Sequence, residues 1–226
     1  MPTDDIPRTF DWRPPPPEVR AANQPFRINV KAAGIRTDRP LRSYSWTPRV
    51  WLDQGQEGAC TGFGAAHVMS MAPNARTMTN ANGQAFYKGA QRYDEWPGEN
   101  YEGSSVNGVM SFLLHETKYL TEYWWAESVE EILHAIGYYG PVEMGSVWRT
   151  GMMNTRSDGF IHVTGGQVGG HAYSIRAVNL SGKYVTVHNS WGKGWGVNGE
   201  AKLSFDDLGL LLRDSGECAL PRKTRA

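Results

Sequence analysis

The sequence of 226 residues reads as an α+β protein with a helical half followed by a sheet half. Three observations carry that reading. Apolar residues recur every three or four positions up to about residue 136, strand-like alternation takes over after about residue 170, and Gly140-Pro141 punctuates the change. With 40% hydrophobic and 12% aromatic residues the chain has ample material for a packed core.

Residues 1–43 read as a proline-rich extended arm and residues 44–226 as the folded domain. Nine of the thirteen prolines lie in the first 50 residues, including Pro14 to Pro17. The same stretch holds nine basic against five acidic residues. Proline fixes φ and removes an amide donor, so Pro2 through Pro25 is expected to be extended and coreless. A solvated tail is the favoured reading of the arm, a docking peptide for a protein partner is another, and its excess of basic residues against the net acidic remainder also allows it to fold back on its own domain.

Beyond Tyr44, Gly62 to Met71 carries Phe63, Ala65, Ala66, Val68 and Met69, and predicts a helix buried on most of its surface. Gly103-Ser104-Ser105 precedes Val106, Val109, Met110, Leu113 and Leu114, an amphipathic pattern with a serine placed to cap it. Ser128-Val129-Glu130-Glu131 fits a capping box ahead of Ile132, Leu133 and Ile136. Ala172 to Val178, Lys183 to His188 and Glu200 to Phe205 alternate as strands.

Composition excludes several functions. Lys+Arg and Asp+Glu each total 23, so no overall field draws nucleic acid or an anionic surface. No run of eighteen apolar residues predicts a membrane span, and Met1 to Arg8 lacks the features of a secretory signal. Two cysteines do not staple a secreted fold, so a cytoplasmic or virion-associated location is expected. Cys60 and Cys218 make no zinc signature and the histidines fall at no metal-ligand spacing. Gly192, Gly194 and Gly196 lack the context of a phosphate loop. No cofactor or metal is expected.

The chemistry sits in three segments. Asp53-Gln54-Gly55-Gln56-Glu57-Gly58-Ala59-Cys60 places a cysteine after a glycine-rich turn and at the start of a helix. Unpaired amides and the positive end of the helix dipole there favour a thiolate, which is the nucleophile. Gln54 is positioned to return its side-chain amide and make, with the Cys60 amide, two donors for an oxyanion. Gly169-Gly170-His171 opens a strand with a residue suited to proton transfer near neutrality. Asn189 ends the next strand, where its side-chain oxygen can accept one ring N–H of His171 and aim the other nitrogen at Cys60.

These segments resemble the papain family of cysteine peptidases. The run Asn189-Ser190-Trp191-Gly192-Lys193-Gly194-Trp195-Gly196, with Asp-Gln-Gly before Cys60 and Gly-His-Ala at His171, carries the resemblance over roughly Tyr44 to Pro221. It implies a two-lobed fold, a helical half and an antiparallel barrel-like sheet half with the active-site cleft between them. It also implies Cys60 as nucleophile, His171 as base and acid, Asn189 as orienting group, Gln54 as oxyanion donor and Trp191 as a shield over the His171–Asn189 contact. By the same resemblance, Gly103, Ser104, Ser105 and Gly170 line a substrate pocket floored near Ala219 to Lys223. The implied activity is hydrolysis of a peptide or protein substrate through an acyl-enzyme. A papain-fold binding or assembly module working through the arm is the alternative.

The chain departs from the family in places. Glu57 stands where the family usually has a second cysteine, Thr61 where it has an aromatic, and Cys218 has no partner for a disulfide. His171 and Asn189 follow Cys60 by 111 and 129 residues, against about 130 to 150 in the family, which makes this a compact version. The arm is too short for the long helical inhibitory propeptide of lysosomal members. His188 is expected to face away from the cleft, and His67, two helical turns below Cys60, to pack or lie at the surface.

Overall fold

The structure, a computed structural model, describes residues 8–22 and 39–222. The expectations for Pro2, Pro7 and Pro25 lie outside these residues.

The helical half is built on α2 (Cys60–Ser70), every residue of which is buried. Its small residues let α3 (Asn80–Ala90) approach closely: a side chain at Gly62 would run into the Gly83 carbonyl and Tyr87, and Gly83 in turn receives the ring of Phe63. Helix α3 was not foreseen, because Asn80-Ala81-Asn82-Gly83 is a weak helix former. Its start is held by Thr79 and Asn82, the Thr79 N–H donating to Asn82 Oδ1 at 2.9 Å. Helix α4 (Val106–His115) begins where expected, with the Ser105 hydroxyl accepting from the Gly108 amide at 2.9 Å.

In the sheet half, strands β2 (Glu122–Trp125), β7 (Glu217–Arg222), β3 (Val142–Arg149), β4 (Gln167–Asn179), β5 (Tyr184–His188) and β6 (Glu200–Ser204) lie side by side in that order. Strand β1 (Tyr44–Ser45) is added on β4, and all pairings are antiparallel. Helix α5 (Val129–Tyr138) covers the sheet with Ile132, Leu133 and Ile136. The Ser128 hydroxyl accepts from the Glu131 amide at 3.2 Å, but the Glu131 carboxylate returns to the Glu127 amide, one residue before the expected one. Ser204 caps α6 (Phe205–Arg213), which ends the third expected strand one residue early.

Two apolar cores result, one under the sheet around Trp148, Tyr173 and Ile175, the other among α2, α3 and α4 around Phe63, Met69 and Met110. Their seam is the cleft. The described part of the arm is neither coreless nor extended throughout: Trp12 belongs to the helical core, and Pro17–Ala22 forms a short helix, α1, with proline at its first position. Among the described residues no helix is long and apolar enough to cross a membrane.

Candidate active site

Cys60 opens α2, and the loop before it is stitched to the segment following β5. The Gln54 amide donates to the Ser190 carbonyl at 2.9 Å and the Gly192 amide to the Leu52 carbonyl at 3.1 Å. From below, His67 Nε2 accepts the Leu52 N–H at 2.9 Å, and His188 Nε2 lies 3.0 Å from the Val50 carbonyl. His67 is thus fully buried, and the surface position left open for it does not hold. Gln54, 4% exposed, accepts from the Ser190 hydroxyl at 2.7 Å and donates one Nε2 hydrogen to the Glu57 carbonyl at 2.8 Å, leaving the second hydrogen for a ligand.

Strands β4 and β5 bring His171 and Asn189 together, with His171 Nε2 2.8 Å from Asn189 Oδ1. The Ser190 amide also donates to that oxygen at 2.8 Å, which fixes it as the acceptor and therefore His171 Nε2 as the protonated nitrogen. His171 Nδ1 keeps its lone pair and has no hydrogen-bond partner among the described residues. Trp191 lies 4.8 Å from the imidazole at 32° and Trp148 4.9 Å away at 75°, so the ring is walled by indoles. Burial lowers the His171 pKa to about 4, against the raising effect of the Asn189 bond, with Arg8 lowering it further.

The Cys60 thiol is fully buried, and backbone hydrogen bonding from Ala172 and Asp11 acts to lower its pKa. Burial nevertheless dominates and pushes it up to about 12. With the arm in place, burial therefore works against the thiolate expected from the helix end. Helix-end amides lower a thiol's pKa only modestly, and removing all water from it costs more.

What removes the water is the arm. Residues 10–13 run through the cleft between the two halves. The Trp12 amide donates to the Gly170 carbonyl at 2.9 Å, Arg13 to the Ser104 carbonyl at 3.1 Å, and the Ser104 amide to the Asp11 carbonyl at 3.2 Å. Phe10 packs edge-on against His171 and Trp191, and Arg8 pairs with Asp53 at 2.9 Å. Any side chain at Gly58 or Gly103 would collide with Asp11, at Gly169 with Phe10, and at Gly145 or Gly170 with Trp12. Beyond Pro14 to Pro17, Arg20 of α1 donates to the Ser215 and Gly216 carbonyls at 3.1 and 3.0 Å. The expected solvated tail is therefore wrong for this stretch. The alternation of Phe10, Asp11, Trp12 and Arg13 just ahead of the prolines was the available signal.

Of the residues expected at a substrate pocket, Ser104 and Gly170 bond the arm backbone and Gly103 gives it room, whereas Ser105 spends its hydroxyl capping α4. Of the expected pocket floor, Ala219 is buried in the same core as Trp12 and Lys223 lies outside the described residues, while the side chain that bonds the Trp12 indole is Glu217. Glu217 Oε1 accepts from the Trp12 indole at 2.8 Å and from the Val106 amide at 2.9 Å. Neither Glu217 nor Gly145 was singled out from the sequence, because neither stands in a motif.

No protein-family model matches the chain. A cathepsin B-like cysteine proteinase of Schistosoma japonicum is 33% identical over 84 residues, 36% of this chain and 22% of that protein, so the match spans about a fifth of the relative's length. Among solved structures, xylellain, a cysteine protease from Xylella fastidiosa, superposes with a TM-score of 0.71 at 14% identity over 100% of both chains. Digestive procathepsin L 3 of Tenebrio molitor gives 0.64 at 17% identity, covering 88% of this chain and 73% of its own. Bromelain from Ananas comosus, in complex with the E64 inhibitor, gives 0.53 at 17% identity, covering 82% and 100%. The fold of this chain is that of the papain-like cysteine proteases.

Proposed function

We propose that the chain is a thiol peptidase whose nucleophile is Cys60 and whose general base and acid is His171. The observation that carries this reading is the tautomer of His171: Nε2–H is committed to Asn189 Oδ1 at 2.8 Å, so Nδ1 is left as an open acceptor, and the next residue, Ala172, packs in the same core as Cys60. With the arm displaced, Nδ1 takes the Cys60 proton as the sulfur attacks the substrate carbonyl carbon. The oxyanion is received by the spare Gln54 Nε2 hydrogen and the Cys60 backbone amide. Nδ1–H then passes its proton to the departing amine as the C–N bond breaks, leaving a thioester. Water, deprotonated by Nδ1, attacks the thioester, and the acid leaves as Cys60 regains its proton. Asn189 holds the ring and Trp191 keeps water from that contact.

The test is turnover of a mixed peptide pool by the chain carrying Trp12→Ala, with and without Cys60→Ala. Hydrolysis that requires Cys60 is the expected result. Equal hydrolysis by both chains, or none by either, overturns the reading.

A further inference from the structure

We propose that the pocket closed by Glu217 reads tryptophan. A peptide seated between Ser104 and Gly170 is selected for an indole at this position, and Trp12 is the chain's own copy of that side chain. The proposal rests on the cleft being a peptide-binding cleft, and it names the substrate class of the proposed peptidase.

Trp12 is 3% exposed although it belongs to an arm held from the outside. The pocket is cut to an indole. At Gly145 on β3, opposite Ala172 on β4, a single added carbon would collide with Trp12 Nε1 and crowd its Cδ1 and Cε2, so the five-membered ring sits directly against bare backbone. Gly170 makes the same allowance for the Trp12 carbonyl and Cε3. The polar tip then meets an acceptor that is itself fixed, because Glu217 Oε1 also receives the Val106 amide at the start of α4. A phenyl or isobutyl group would leave that buried oxygen short of one donor and the far end of the pocket unfilled.

Burial also favours the uncharged form of the acids that close the pocket. Glu217 Oε2 is buried without a hydrogen-bond partner, the site where a proton would sit, and burial raises the Glu217 pKa to about 8 despite the bonds from Trp12 and Val106. Behind it Glu143, fully buried with both oxygens unpartnered, is likewise held well above the usual carboxylate range by burial and by Glu217. An uncharged indole N–H can be accepted by Glu217 Oε1 without a change in the ionisation of these acids.

The test uses the full chain carrying Trp12→Ala, which empties the pocket, and Cys60→Ala, which removes turnover. Calorimetric titration compares capped Thr-Phe-Asp-Xaa-Arg-Pro peptides with Xaa as tryptophan, benzothienylalanine, phenylalanine, leucine or arginine. Tryptophan should bind about tenfold tighter than benzothienylalanine, which has the same shape without the N–H, and more tightly still than the others. Glu217→Leu should bring tryptophan and its isostere within about twofold, while Glu217→Gln, which keeps an acceptor, should preserve the preference. Equal affinity for tryptophan and its isostere with Glu217 in place overturns the proposal, as does tighter binding of arginine or leucine. Because the isostere series leaves Glu217 untouched, a Glu217→Leu chain that fails to fold does not spoil the test. Binding does not depend on hydrolysis. Tryptophan selectivity without Cys60-dependent turnover would support the pocket and remove the peptidase reading, and turnover without selectivity would do the reverse.

Discussion

His188 illustrates how much the site owes to single buried groups. Its Nδ1 lies 2.9 Å from Glu200 Oε1 and its Nε2 3.0 Å from the Val50 carbonyl, so both ring nitrogens are held by acceptors. Glu200 also takes the Arg176 guanidinium through both oxygens. Its burial would raise its pKa, but the Arg176 and His188 hydrogen bonds outweigh that and hold it low. This buried set ties β4, β5 and β6 to the loop that carries Gln54. Replacing His188 by leucine leaves Glu200 and the Val50 carbonyl short of a donor, and should cost about 3 kcal/mol of stability in urea unfolding. An unchanged midpoint would show that the network holds nothing. Cys60 gives a second prediction at this scale. Enclosed and pushed up to about 12, it should react slowly with iodoacetamide at pH 7.5, and Trp12→Ala, by loosening the arm, should raise the rate at least about tenfold. Equal rates in both chains would mean that the arm does not shield the thiol. The segments of Cys60, His171 and Asn189 were legible because each is a short run of neighbouring residues. Glu217 was not, since its role comes from what lies opposite it.

Elements were read most accurately where their caps are local. Helices α4 and α5 start at serines three residues ahead of the amides they accept from, a relation that needs no tertiary information. Strand β3 was missed for the opposite reason: Val142 to Trp148 are all buried, so no alternation of apolar and polar residues marks it. Helix α3 was missed because its partner supplies its stability. The contact at Gly62 and Gly83 that joins it to α2 is also its weak point. Gly62→Ala drives a methyl into the Gly83 carbonyl and Tyr87, and should destabilise the fold by about 2 kcal/mol in spite of alanine's better helix propensity. A stabilised Gly62→Ala chain, measured by thermal melting, would refute that packing. The arm behaves as an element of the cleft, paired by backbone on both sides, with cations over aromatic rings: Arg8 lies 5.5 Å from the Trp191 centroid and Arg13 4.9 Å from that of Tyr101.

For the molecule as a whole, the buried ionisable groups set a pH profile. Glu217 and Glu143 have raised pKa values in the fold, so their contribution is complete below the ordinary carboxylate range. That of Glu217 is lost as pH climbs from 4.5 to about 8. His171 is depressed from 6.5 to about 4, so its contribution is present above 6.5 and lost on acidification through 4. The balance predicts falling stability between pH 6.5 and 8, where His171 no longer varies and the acids still do. Glu217→Gln should remove up to about 1.4 kcal/mol per pH unit of that slope, checked by denaturant midpoints at half-unit intervals, and an unaltered slope would exclude Glu217 as its source. The sequence by itself determined the α+β order, the capped helices and the Cys60, His171 and Asn189 segments, because spacing, capping and motif are relations between near neighbours in the chain. Only the tertiary structure decided that Phe10 to Arg13 fill the cleft, that Glu217 closes its pocket and that burial pushes the thiol's pKa up. Those facts depend on which distant surfaces exclude water together, and burial of that kind is a property of the assembled cleft.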